Sequence, residues 1–163
     1  MPPSPPPSLS LRPTTPADLP TLFRLQLDPD ANALAGTKPY SEPAFLALWD
    51  TIFASSTAEA PHEARIILVG GEIVGSINCF KVGNLDHIGY WIDRKHWGRG
   101  IATRALSLMI REVPRRPLYA VAARSNAAST RVLQSCGFRL LGYHMGEETP
   151  RYTAAECATF VLD

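Results

Sequence analysis

The sequence predicts an α/β fold, a mixed and mostly antiparallel central sheet with helices on both faces. Three observations carry this. Residues 65–69 and 73–82 are β-branched runs separated by Gly70-Gly71, a strong hairpin signal. Residues 85–93 form a third run in which Ile88, Tyr90 and Ile92 alternate with Gly89 and Trp91, the period of a strand. Beyond Trp97 the period changes: Ile101, Ala105, Leu108 and Met109 fall at i, i+4, i+7 and i+8, with Arg104, Ser107, Arg111 and Glu112 between them, as in an amphipathic helix.

The remaining elements come in order along the chain. Residues 1–8 are rich in proline and serine and are expected to form a flexible or extended tail ahead of a single domain at 9–163. Residues 9–12 alternate briefly, as an edge strand does. Thr15-Pro16-Ala17-Asp18 has the form of a helix start, with a threonine cap, proline in the first turn and a carboxylate at the third position. Leu19, Leu22, Phe23 and Leu27 supply the apolar side of that helix. Residues 28–40 read as irregular, because Asp28-Pro29 and Lys38-Pro39 both disfavour helix. A second helix starts after Ser41, with Phe45, Leu48, Trp49, Ile52 and Phe53 on one side. Gly83-Asn84 turns the chain into the 85–93 strand. Residues 117–123 are the next strand and 126–136 the next helix, with Ala128, Val132, Leu133 and Cys136 inward and Gly137 as its stop. Residues 138–145 and 158–162 are the last two strands.

Composition sets bounds on function. The chain has 163 residues, 45% apolar and 19% charged, an ordinary globular mixture long enough to bury a core. A formal net charge of +1 argues against an extended nucleic-acid-binding face. No apolar run approaches a membrane span and the start of the chain has no hydrophobic signal core, so neither membrane nor nucleic acid is expected as a partner. Cys79, Cys136 and Cys157 are odd in number and lack metal spacing, which predicts reduced, packed thiols, a cytoplasmic protein and no metal.

The chemistry concentrates where the 85–93 strand gives way to the helix. The first turn of a helix carries backbone N–H groups without intrahelical partners and the positive end of the macrodipole. Gly98 and Gly100 remove Cβ atoms there, Arg99 stands between them and Thr103 adds a hydroxyl. Two readings of this spacing stay open: a phosphate or pyrophosphate site, or a tight turn with close helix–sheet packing. It is neither a Walker loop nor Gly-x-Gly-x-x-Gly.

A second segment, Asn126-Ala127-Ala128-Ser129-Thr130-Arg131-Val132-Leu133-Gln134-Ser135-Cys136-Gly137-Phe138, comes one strand and one helix later. Together with Trp97-Gly98-Arg99-Gly100-Ile101-Ala102 it resembles the Gcn5-related N-acetyltransferase (GNAT) family over residues 66–162. Within that family the likeness is to the branch of ribosomal-protein alanine N-terminal acetyltransferases. The family's pyrophosphate loop is Gln/Arg-x-x-Gly-x-Gly/Ala, and here Trp97, Gly100 and Ala102 take its first, fourth and sixth positions.

The resemblance implies that strands 85–93 and 118–123 part to hold acetyl-CoA as a co-substrate, without metal. Its pantetheine would lie along Trp91, Ile92 and Asp93 like an added strand. Its pyrophosphate would rest on the amides of Gly98, Gly100, Ile101, Ala102 and Thr103, with Arg99 supplying charge and the Ile92 N–H polarising the thioester carbonyl. Asn126 and Ser129 occupy family positions that hydrogen-bond the pantetheine or thiol; against this stand a helix cap for Asn126 and a packed or solvated serine for Ser129. The implied reaction is direct acetyl transfer to a primary amine. His87, preceded by Asp86, takes a position where the branch carries glutamate and is the candidate base, or else an ordinary strand-edge histidine. Leu133 replaces a tyrosine that acts as general acid in some relatives. This leaves Ser129 or water to protonate the thiolate, and it supports the alternative of a non-catalytic acyl-CoA sensor. Asp28, Asp30, Tyr40, Trp49, Glu147 and Glu148 lie in regions that form the acceptor mouth in relatives. The acceptor itself stays open, a small-molecule amine or a peptide N-terminus, as does a monomer or homodimer.

Overall fold

The computed structural model describes Pro3 and residues 7–163 and places seven strands in one sheet. These are β1 (Leu9–Pro13), β2 (Glu63–Val69), β3 (Glu72–Val82), β4 (Leu85–Ile92), β5 (Leu118–Ala123), β6 (Arg139–Gly146) and β7 (Ala155–Leu162). Their spatial order is β1-β2-β3-β4-β5-β7-β6, and every neighbouring pair is antiparallel except β4–β5. β1 is an edge strand, as its brief alternation predicts. The tail expected over residues 1–8 lies mostly outside the described residues. Ser8 is described, and its carbonyl accepts a hydrogen bond from the Gly70 N–H (3.1 Å), which ties it to the β2–β3 turn.

Three α-helices connect β1 to β2, one more than the sequence pattern predicts. A 3-10 turn at Pro16–Asp18 leads into α1 (Leu19–Leu25) through the expected capping box, in which the Thr15 N–H donates to the Asp18 carboxylate at 2.8 Å. Asp18 is buried and receives two further hydrogen bonds of 2.8 Å from the Arg12 guanidinium, which clamps β1 to α1. The segment expected to be irregular contains α2 (Pro29–Ala35). Asp28-Pro29 starts this helix: the Asp28 carboxylate accepts from the Asp30 N–H (2.9 Å), and Pro29 fills a first-turn position that needs no N–H. Gly36 ends it at φ 70°, a left-handed conformation suited to glycine. α3 (Glu42–Ala54) begins at Ser41 as predicted, burying Phe45 and Trp49 while Leu48 stays exposed.

α4 (Ile101–Glu112) and α5 (Ala127–Ser135) cover the opposite face of the sheet from α1 and α3. On the first side the core contains Ile67, Val74, Ile77, Ile88, Leu106, Met109, Leu118 and Phe160; on the second, Leu19, Leu22, Phe45, Trp49 and Ile66. Leu106 is fully buried in α4, whereas Leu108 is half-buried. Of the residues expected to face inward in α5, Leu133 is buried and Ala128 is exposed.

β4 is held differently on its two sides. A Cβ on Gly75 of β3 would lie 2.1 Å from the Trp91 carbonyl oxygen, so glycine there lets β3 approach β4 closely. On its other side β4 pairs with β5 only at Asp86–Leu118 and His87–Tyr119. From Ile88 onward the two strands part.

Candidate active site

The parting of β4 and β5 exposes backbone in the middle of the sheet. The Asp93 N–H donates to the Val74 carbonyl (2.8 Å), which fixes the antiparallel alternation of β4. By that alternation the polar backbone groups of Trp91, Gly89 and His87 face β3, while those of Tyr90 and Ile92 face the side that β5 has left. The Ile92 carbonyl is taken by the Trp97 indole N–H (2.9 Å). Its amide still turns toward the gap. Asp93 itself does not line the gap: it caps the 3-10 turn at Arg94–His96 and its amide is spent on Val74.

At the end of this gap α4 begins. Gly98 and Gly100 both adopt left-handed φ, 77° and 72°, with open space where a Cβ would stand. No side chain caps the helix, and the Arg104 N–H is the first to close a turn, on the Gly100 carbonyl (3.1 Å). The amides of Ile101, Ala102 and Thr103 therefore have no internal partner among the described residues. Left-handed φ at both glycines fits the turn of the first reading, but the open space beside them does not fit its close helix–sheet packing, and the free amides are what the anion reading requires. Arg99 is exposed, outside the cavity lining, and forms no ion pair among the described residues.

A cavity of about 330 Å³ occupies the gap. Trp91, Ile92, Trp97, Gly98, Gly100, Ile101, Ala102, Thr103, Asn126 and Ser129 all line it, so most of the residues predicted for the site converge. α2, absent from the sequence reading, supplies Ala31, Leu34 and Ala35 to its wall. No Asp, Glu, Lys or Arg lines it; its polar lining includes backbone amides, hydroxyls, Asn126 and His96. His96 has both ring nitrogens buried without a hydrogen-bond partner, the nearer carboxylate, Glu72, standing 3.6 Å from Nε2.

Asn126 caps α5 by accepting from the Ser129 N–H at 3.1 Å, so its capping role is present. Ser129 is neither merely solvated nor packed. Its Oγ lies 2.7 Å from the Tyr90 hydroxyl, which reaches across from β4. Burial raises the Tyr90 pKa above its ordinary value, and the Ser129 hydrogen bond opposes that rise. Sequence reasoning missed Tyr90 as a functional group because an aromatic residue in an alternating strand reads as core. Leu133 is buried and offers nothing to the cavity beyond packing.

The structure does not bring His87 and Asp86 together as an oriented pair. Consecutive strand residues point to opposite faces, and Asp86 turns to Lys81 (3.1 Å) and Arg115 (3.4 Å). His87 stacks between Phe80 and Tyr119, with ring centroids 6.1 Å and 5.7 Å away, outside the cavity lining. Burial lowers its pKa, with Asp86 opposing. Of the expected acceptor-mouth residues, Glu147 is exposed and forms no ion pair among the described residues, and the other five are engaged. Arg94 binds Asp28 (3.0 Å) and Asp30, Lys38 binds Glu148 (2.6 Å), Arg151 lies 4.4 Å over the Tyr40 ring, and Trp49 belongs to the core. All three cysteines are free thiols; burial pushes Cys79 to about 11 and Cys136 upward. Among the described residues no group of three or more His, Cys, Asp or Glu could hold a metal ion, and no helix is long and apolar enough to cross a membrane.

Comparison with solved structures finds this architecture repeatedly. RimJ from Mycobacterium smegmatis, in complex with CoA-disulfide, is 23% identical, with TM-score 0.71, covering 94% of this chain and 81% of that one. An acetyltransferase from Salmonella typhimurium, which modifies the N-terminal serine of a ribosomal subunit protein, is 20% identical with TM-score 0.72, covering 94% of both chains. Spermidine N-acetyltransferase from Vibrio cholerae, in complex with CoA and spermine, is 18% identical with TM-score 0.71, covering 94% of this chain and 95% of that one. A comparison with curated protein sequences finds no match. The profile of the acetyltransferase (GNAT) domain matches residues 8–139, most of the chain and both halves of the parted β4–β5 pair. This protein belongs to the GNAT acetyltransferase family.

Proposed function

We propose that the chain is an N-acetyltransferase that moves an acetyl group from acetyl-CoA directly to a primary amine, carried by a small molecule or by a peptide N-terminus. One observation carries the reading: the uncapped amides of Ile101, Ala102 and Thr103 open onto a gap whose other wall is unpaired β4 backbone. Amides with a helix dipole behind them suit a diphosphate, and Arg99 adds a solvent-facing charge beside them. The Tyr90–Ile92 backbone edge suits an extended pantetheine amide chain. An activated acetyl group arrives as the thioester of the co-substrate. The Ile92 N–H is turned so that it can stabilise the oxyanion of the acyl carbonyl. His87 stands at the last β4–β5 pair and outside the lining, so it is not placed to take the proton lost by the amine. The sensor alternative drew its support from the missing tyrosine at Leu133. That support falls away because a phenol, Tyr90, stands beside Ser129. With three free thiols, the expected setting is the reducing cytoplasm.

Acetyl-CoA should raise the melting temperature of the protein, and Arg99→Glu should remove most of that rise by placing a negative charge beside the diphosphate. A turnover screen over amino acids, peptides, polyamines and aminoglycosides then identifies the acceptor. Absence of any thermal shift at millimolar acetyl-CoA counts against the reading.

A further inference from the structure

Tyr90 and Ser129 come from elements 39 positions apart, yet their hydroxyl oxygens are 2.7 Å from each other and both side chains line the cavity. The backbone of Ser129 is fixed independently, through its N–H on Asn126 Oδ1. One oxygen in such a pair donates and the other accepts. The phenol is the more acidic group and the better donor. If Tyr90 donates to Ser129 Oγ, the serine's own O–H is left to point elsewhere, and the cavity is what lies beside it. No Lys or Arg lines the cavity to serve as an alternative donor. Negative charge that develops on a departing sulfur therefore meets this hydroxyl pair and backbone dipoles.

Resting on the acetyltransferase reading above, we propose that Tyr90 is a positioning residue for departure of the sulfur: by donating to Ser129 Oγ it aims the Ser129 O–H at the thiol end of CoA. As the N–C bond forms and the C–S bond breaks with its electron pair left on sulfur, the Ser129 O–H holds that charge. The proton given up by the amine nitrogen reaches the sulfur through solvent, and neither hydroxyl is consumed. A buried phenol with a raised pKa stays protonated through the cycle and keeps its donor role.

The test needs no acceptor. Calorimetric titration of the full chain with CoA, and separately with acetyl-CoA, in two buffers of different ionisation heat reads the protons released on binding. At about pH 8, just below the ordinary thiol value, CoA should release protons because the site favours thiolate, and acetyl-CoA should release none. Tyr90→Phe should abolish the release and weaken CoA binding about tenfold, the size of a lost hydrogen bond to a charged group. With acetyl-CoA, whose sulfur carries no ionisable proton, the variant should release none, as the wild type does. Ser129→Ala should behave the same way, and it stands in for Tyr90→Phe if that variant folds poorly. Proton release that persists in both variants, or that is absent from the wild type, overturns the proposal. Failure of the wild type to bind acetyl-CoA overturns the acetyltransferase reading instead.

Discussion

Asp18 shows how much a single residue can do in this fold. Its carboxylate caps the first helical turn and receives the Arg12 guanidinium, and that hydrogen-bonded pairing holds its pKa at about 2. The folded pKa lies below the unfolded value of about 3.9, so the contribution is complete above that value and is lost as pH falls toward the folded one. Asp18→Asn should cost about 2 kcal/mol in urea denaturation at neutral pH, with the difference from wild type shrinking in acid. A gap that stays constant from neutral pH into acid would refute this account. The capping box was legible in the spacing of Thr15 and Asp18, as was the glycine pair at 98 and 100. The Tyr90–Ser129 contact was not, because it depends on where α5 settles against β4. The pairing of Asp86 with His87 was misread although strand periodicity alone places adjacent residues on opposite faces.

Among the elements, α2 teaches the most about reading a sequence. Asp28-Pro29 disfavours helix before the proline and initiates one after it, and only the second effect governs here. Because α2 forms, small apolar residues line the cavity where irregular chain was expected. β3 shapes the cavity from the other side through Gly75. Gly75→Ala must push back the Trp91 carbonyl, because backbone cannot swing aside as a flexible side chain does. The variant should lose about 2 kcal/mol of stability and show weakened acetyl-CoA binding. Retention of both, measured by denaturation and by thermal shift, would show that β4 has more slack than its register suggests.

Over the whole molecule, the alternation of apolar residues made the strands and most helices visible, and the two motifs placed the cavity between β4 and β5. Sheet order and the engaged state of most acceptor-mouth residues were not visible, since they depend on pairings between distant segments. The hairpin loop before β7 is one such case. The Lys38 N–H donates to the Arg151 carbonyl (2.6 Å) while the Arg151 guanidinium donates to the Lys38 carbonyl (2.7 Å), joining the loop to the chain after α2. The Lys38 pair with Glu148 beside it and the Arg94 pairs with Asp28 and Asp30 tie up carboxylates that the sequence alone leaves open for an amine.

The separation of β4 from β5 after two pairs also leaves an alternating signature along one strand. In amide hydrogen exchange, Trp91 should be slow because its N–H is bound to β3, whereas Tyr90 and Ile92, its immediate neighbours, should be fast. Saturation with acetyl-CoA should slow the two fast amides and leave Trp91 as it was. Protection of all three in the free protein would mean that the strand edge is already closed. The odd-and-even contrast then becomes a residue-by-residue report of when the molecule is loaded.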